Sequence, residues 1–153
     1  MSRVLVVDDD ENIRDTLYDL LSEEHLCQTA ETAEKALARL DAESYDVVLT
    51  DISMPGLSGL ELLGHIKQKY PDTPVIVISG ISDQEYAQGM IRLGAFDYLL
   101  KPFSLEAVTK SVHRALDHRR RLLEGSQASQ VTDEGRKGSQ DDATDWSIVK
   151  DRS

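Results

Sequence analysis

Four short apolar runs in this chain each stop abruptly at a polar or charged residue. Val4-Leu5-Val6-Val7 runs into Asp8-Asp9-Asp10, and Tyr45-Asp46-Val47-Val48-Leu49-Thr50 into Asp51. Pro74-Val75-Ile76-Val77-Ile78 ends in Ser79, and Phe96-Asp97-Tyr98-Leu99-Leu100 in Lys101-Pro102. Runs of this length, too apolar to face water on either side, predict strands covered on both faces. A further short strand is predicted near Leu26 to Ala30. Between the strands the period lengthens to that of a helix. Ile13, Leu17, Leu20 and Leu21 share one face of a helix opening after the acidic loop Asp8 to Asp10. Ala33, Ala36, Leu37 and Leu40 mark a second, starting near Glu31 or Thr32, and Leu60, Leu62, Leu63 and Ile66 a third that ends before Pro71. Tyr86, Met90, Ile91 and Leu93 mark a weaker fourth, interrupted by Gly89 and closed by Gly94. The fifth starts at Ser104, a good N-cap, and turns Leu105, Val108, Val112, Ala115 and Leu116 inward.

Five strand–helix units of this kind predict an α/β fold, with a parallel sheet carrying helices on both faces. Right-handed crossovers leave few arrangements, and the doubly wound strand order 2-1-3-4-5 is the natural one for five strands. Its switch point lies between the first and third strands, the two that end in Asp8-Asp9 and Asp51. Ligands bind at the carboxyl ends of such strands. If the four strands that end in polar groups are neighbours, three carboxylates, a hydroxyl and an ammonium converge on one small site.

Composition narrows the partners. The chain has 153 residues, enough for one domain with some sequence left over. Hydrophobic residues make up 40% and aromatics 5%, so the core must be aliphatic. The single cysteine, Cys27, rules out an internal disulfide, fits a reducing compartment and reads as a small buried hydrophobe. No segment approaches the ~20 apolar residues of a membrane helix, and Met1-Ser2-Arg3 leads into a strand instead of a signal peptide. A cytoplasmic location and no membrane insertion are expected. The net charge of −11 argues against nucleic acid as a partner of this chain.

After about Glu124 the pattern stops. Residues 1–124 are expected to form the domain, and 125–153 a polar, disordered tail with one apolar island, Trp146-Ser147-Ile148-Val149. That tail carries no pattern of a helix-turn-helix, catalytic or ATPase domain. The basic segment His118-Arg119-Arg120-Arg121 with Leu122-Leu123 extends the fifth helix. A solvated helix end, a dimer-forming signalling helix and the stump of a longer protein are all compatible with it.

Three carboxylates packed together raise one another's pKa unless a cation is present. Hard oxygen ligands with a few waters suit Mg2+ or Mn2+, while calcium would call for a twelve-residue loop of the EF-hand type, absent from the sequence. His25, His65, His113 and His118 are scattered along the chain, which argues against an imidazole-bound metal and reads each as a surface residue. A carboxylate beside a divalent metal can attack a phosphoryl group and form an acyl phosphate. The charge on the phosphoryl oxygens then needs donors around it, and Lys101 and Ser79 can supply them, with Gly80 leaving the approach open.

In combination, Val4-Leu5-Val6-Val7-Asp8-Asp9-Asp10-Glu11, Asp51 with Met54-Pro55-Gly56 and Gly59, Ser79-Gly80, and Ala95-Phe96-Asp97-Tyr98 through Lys101-Pro102-Phe103 resemble the receiver domain of two-component response regulators. The resemblance covers roughly residues 2 to 122 and implies the flavodoxin-like form of the doubly wound sheet. It implies that Asp51 accepts a phosphoryl group from a sensor histidine kinase or phosphotransfer protein. Asp8, Asp9, Asp51 and the Ser53 backbone carbonyl would hold Mg2+. Ser79 would move toward the phosphoryl group, Tyr98 would turn inward and Lys101 would pair with the phosphate. The surface that changes would be helix four, strand five and helix five, open to a downstream protein or to a homodimer. Asp10 stands where Glu is common in the family, Ser79 where Thr is as frequent, and Gly80 where Ala is commoner; Ser53 and Ile81 fall at positions that tune aspartyl-phosphate hydrolysis. The alternative is a Mg2+-dependent phosphohydrolase that turns over at Asp51, but such enzymes of the haloacid dehalogenase type use an Asp two residues later, where this chain has Ser53. A receiver-like module that has lost phosphorylation is a third reading, and the complete pocket argues against it.

Overall fold

The computed structural model describes residues 1–54 and 56–132, with 126–132 as backbone only. Five strands and five helices alternate. In chain order they are β1 (Arg3–Val7), α1 (Glu11–Leu21), β2 (Leu26–Ala30), α2 (Ala33–Ala42) and β3 (Val47–Asp51). They continue with α3 (Gly59–Lys69), β4 (Val75–Ser79), α4 (Gln84–Arg92), β5 (Asp97–Leu100) and α5 (Leu105–Thr132). The strands form one parallel sheet in the order β2-β1-β3-β4-β5, as the apolar runs predicted.

Alternate side chains of each strand feed opposite cores. Leu5 and Val7 of β1 join Val48, Val75 and Val77 under α2, α3 and α4, with Ala36, Leu40, Leu62, Leu63, Ile66 and Met90. Val4 and Val6 face the other way, with Val47, Leu49, Ile76 and Ile78, under Leu17 and Leu21 of α1 and Val108, Val112 and Ala115 of α5. β3 and β4 are buried along their whole length, whereas the edge strands β2 and β5 show mixed exposure. Cys27 lies in the α1–α5 core, where burial pushes its thiol pKa up to about 12, so it packs as an inert hydrophobe.

Local chemistry starts and stops the helices where the sequence suggests. Thr32 caps α2 by accepting from the Lys35 amide, and Ser104 Oγ accepts from Ala107 N at 3.0 Å. Ser58 and Glu61 form a reciprocal capping box at α3, and Gly94 closes α4 with φ +112°. Some apolar positions expected inward are not. Leu60 and Leu105 lie in the first turns of their helices and Leu93 at the C-cap of α4, and all three are exposed. Ile91 is exposed as well, because the buried stripe of α4 is narrow and centres on Met90.

The chain divides into two units, Met1–Arg119 and Arg120–Ser153. In the second, helical backbone continues past Glu124 to Thr132, beyond the expected end of helix five. Gln127, Ala128 and Gln130 are good helix formers, a local preference that the lack of apolar periodicity concealed. Pro55 and the Trp146 to Val149 island lie outside the described residues. Among the described residues, no helix is long and apolar enough to cross a membrane.

Candidate functional site

The acidic loop leaves the sheet at the tip of β1. Asp8 N donates to Ala30 O at 3.1 Å, its carbonyl accepts from the Arg14 guanidinium at 2.9 Å, and its Oδ1 accepts from Asp10 N at 2.9 Å. These bonds aim the Asp8 carboxylate inward, where it is almost fully buried. Asp10 turns elsewhere and caps α1 by accepting from Asn12 N. Asp9 remains exposed beside the pocket.

Asp51 is the last residue of β3, pairs with Ile78 of β4, and is 6% exposed. Its backbone is enclosed. Thr50 Oγ1 donates to the Asp51 carbonyl at 2.9 Å, and Gly59 N donates to Ile52 O at 3.1 Å. A Cβ on Gly59 would lie 2.0 Å from the Asp51 carbonyl oxygen, so only glycine lets α3 start this close to the end of β3. The sequence placed Gly59 in a motif; the packing supplies the reason.

Lys101 follows β5. Its amide donates to Ser79 O at 2.7 Å, and the Lys101-Pro102 bond is cis. The ammonium reaches back between the carboxylates, 3.3 Å from Asp51 Oδ1 and 3.4 Å from Asp8 Oδ2. Burial works against that charge, but Asp8 and Asp51 together outweigh it and raise the Lys101 pKa. Burial, supported by the Asp51 charge and opposed by the Asp10 amide and Lys101, raises the pKa of Asp8.

Asp8, Asp9 and Asp51 each offer a carboxylate oxygen, all within 4.8 Å of one another. Asp8 Oδ2 is buried with no hydrogen-bond partner, since its 3.4 Å contact with Lys101 is electrostatic and too long for a well-formed charged hydrogen bond. A buried, under-coordinated carboxylate oxygen beside two more carboxylates is a donor set that fits a hard divalent cation. Ser53 lies exposed two residues past Asp51. No carboxylic acid occupies that position, so the general acid of a haloacid dehalogenase-type phosphohydrolase is missing.

Ser79 ends β4, almost fully buried, and its Oγ accepts from Ile81 N at 3.0 Å. The Tyr98 hydroxyl donates to the carbonyl of the same residue at 2.5 Å, and its ring packs edge-on against Tyr86 of α4, centroids 6.2 Å apart. Ile81 is thus the link between hydroxyl and ring, a role that its side chain alone did not signal. A Cβ at Gly80 would meet nothing within 4 Å, so the approach to the pocket is open.

A family model described as the response regulator receiver domain matches residues 4–113. The chain belongs to the response regulator receiver family. It is 45% identical over 116 residues to the DNA-binding transcriptional regulator NtrC of Salmonella typhimurium, covering 75% of this chain and 25% of that protein. It is 36% identical over 132 residues to the nitrogen assimilation regulatory protein NtrX of Azorhizobium caulinodans, covering 84% and 29%. It thus spans about a quarter of the length of the NtrC-type relatives it matches. Among solved structures, it resembles the receiver domain of NtrX from Brucella abortus with a TM-score of 0.71 and 41% identity, covering 74% of this chain and 98% of that one. The Vibrio cholerae chemotaxis protein CheY4 gives a TM-score of 0.72 at 30% identity, with 76% and 99% covered. The phosphohydrolase alternative finds no support in these relatives.

Two of the four histidines, far apart along the chain, come together in this receiver. His25, in the turn after α1, and His113 of α5 bring their ring centroids to 6.2 Å, and Glu24 joins them.

Proposed function

We propose that this receiver is a phosphoacceptor switch in a two-component pathway, with Asp51 as the acceptor. A phosphohistidine on a sensor histidine kinase or phosphotransfer protein is the donor. An Asp51 carboxylate oxygen attacks phosphorus, the P–N bond breaks, and the departing imidazole takes a proton while Asp51 becomes an acyl phosphate. The observation that carries this reading is the buried Asp51 carboxylate at the tip of β3, with Lys101 Nζ 3.3 Å away and Asp8 on its other side. Mg2+, or Mn2+, would be held by Asp8, Asp9, Asp51 and the Ser53 backbone carbonyl; bound there, it neutralises charge on the transferring phosphoryl oxygens. Lys101 pairs with the transferred phosphate, and Ser79 gives up the Ile81 amide to donate to it. Tyr98 then turns inward and reshapes the surface of α4, β5 and α5. Exposed Ile91, Leu93, Leu100 and Leu105 make that surface suitable for a downstream protein or a second copy of the chain. The module turns over no substrate beyond slow loss of its own phosphoryl group. It works in the cytoplasm, inserts in no membrane, and with a net charge of −11 binds no nucleic acid itself.

Incubation with a small acyl-phosphate donor and Mg2+ tests the assignment. One alkali- and hydroxylamine-labile phosphoryl group is expected on the native chain and none on Asp51→Asn, because an amide is not a competent nucleophile. Equal labelling of that variant would place the acceptor elsewhere.

A further inference from the structure

A second cluster of metal-ligating side chains lies away from the acidic pocket. Glu24 and His25 occupy the turn between α1 and β2, and His113 projects from α5. The turn is fixed, with Glu24 N and His25 N both donating to Leu21 O at 3.3 and 2.9 Å. The helix is fixed too, because Val112 beside His113 is fully buried. One ligand atom from each of the three side chains lies within 4.8 Å of the others, and His113 Nε2 is 3.0 Å from Glu24 Oε1. Donors bonded tetrahedrally to zinc at 2.0–2.1 Å stand about 3.3 Å apart, so one pair already has the required spacing. The remaining approach is roughly 1.5 Å at most. Rotamer changes of exposed Glu24 and His113 can supply it. His25 carries a further sign: its Nδ1 is buried and has no hydrogen-bond partner, so the ring has an unused nitrogen donor. The cluster opens into a cleft of about 250 Å³ that leaves room for a water ligand.

We propose that Glu24, His25 and His113 form a site for a zinc-type transition-metal dication, with two imidazoles, one carboxylate and a fourth position open to water. Imidazole nitrogens prefer such ions over Mg2+, whereas the all-oxygen set of Asp8, Asp9 and Asp51 prefers Mg2+, so the two sites sort metals by donor type. The site joins the turn after α1 to α5, and its occupancy stabilises the packing of the helix pair that covers one face of the sheet.

Competition of the untagged chain against a chromophoric zinc chelator, in millimolar Mg2+ to fill the acidic pocket, tests this. One Zn2+ per chain is expected, and Co2+ in its place should show the intense visible bands of a low-coordinate site. His113→Ala and Glu24→Gln, both exposed and so tolerated by the fold, should weaken binding at least about tenfold, the loss that even outer-shell changes cause in metal sites. Asp9→Ala should leave it unchanged. Absence of stoichiometric binding, equal affinity in His113→Ala, or loss of Zn2+ in Asp9→Ala would each overturn the proposal.

Discussion

The two halves of the pocket at the strand tips are held in different ways. Asp8 and Asp51 leave the sheet at the tips of adjacent strands, nearly fully buried, with their backbones locked by Ala30, Arg14, Thr50 and the close approach of Gly59. The Ser79 hydroxyl and the Tyr98 hydroxyl both bond to the peptide groups of Ile81, an exposed residue in the loop after β4. Each such hydrogen bond contributes about 0.5–1.5 kcal/mol net. The carboxylate half is therefore held by packed backbone, and the link between Ser79 and Tyr98 by two single hydrogen bonds. A switch needs that asymmetry, because a ligand or phosphoryl group shifts an equilibrium only by its differential interaction with the two states.

Breaking the carboxylate half should have the largest effect. Gly59→Ala puts a methyl group 2.0 Å from the Asp51 carbonyl oxygen, against backbone that cannot swing aside. A loss of about 3 kcal/mol or more is expected in urea unfolding, at the upper end of overpacking costs. A loss below about 1 kcal/mol would mean that the start of α3 yields, and that this half is less rigid than its packing indicates.

A smaller effect of opposite sign comes from removing charge there. Asp8 has its pKa raised from 3.8 by burial first, with the Asp51 charge adding to it. The folded state therefore binds its proton more tightly than the unfolded state, and metal-free stability falls as pH rises from 3.8 through the folded value. Asp8→Asn keeps an acceptor for the Asp10 amide but carries no charge. At neutral pH without metal it should be more stable by about 1 kcal/mol, as buried ions replaced by neutral isosteres often are. Its stability should also lose that decline with pH. In millimolar Mg2+ the order should reverse, because only the native carboxylate gains from the cation. Greater apo stability of the native protein at pH 7 would contradict the crowding of charge in this pocket.

The smallest effect concerns the Ser79–Tyr98 half. Ser79→Ala and Tyr98→Phe each remove one bond to Ile81. A double-mutant cycle should give a coupling of about 0.5 kcal/mol, since the two groups share one residue without touching. Strict additivity would show that Ile81 does not connect hydroxyl and ring.

The contrast between the halves also marks what could be read from sequence. The strand tips, the order of the sheet and the approach of Asp8, Asp9, Asp51 and Lys101 were legible because each depends on a local apolar run and where it stops. Ser104 was legible as a cap from its residue type, whereas the start of α2 stayed open between Glu31 and Thr32 until the Lys35 amide bond decided for Thr32. Ile81 was not, because its contribution is made by backbone groups and carries no side-chain signature. Asp10 is ambiguous in sequence, since a third acid in a row serves a pocket or a helix cap equally well; its bond to Asn12 N decides for the cap. The Glu24, His25 and His113 cluster depends on α5 packing beside α1, a contact between residues far apart in the chain. The exposed Ile91 and Leu93 show the reverse failure, where apolar character alone suggested burial.

The central claim is that the carboxylate half drives the Ser79–Ile81–Tyr98 half. Amide NMR of the native chain with and without beryllofluoride and Mg2+, the fluoride complex standing in for the phosphoryl group on Asp51, measures this directly. The account predicts shifts across residues 80 to 100 as well as around Asp8, Asp9 and Asp51, with Ser79→Ala keeping the local shifts and losing much of the distant ones. Shifts confined to the three aspartates and their neighbours in the native protein would contradict it, and would leave a domain that holds a phosphoryl group without passing the signal to α4 and β5.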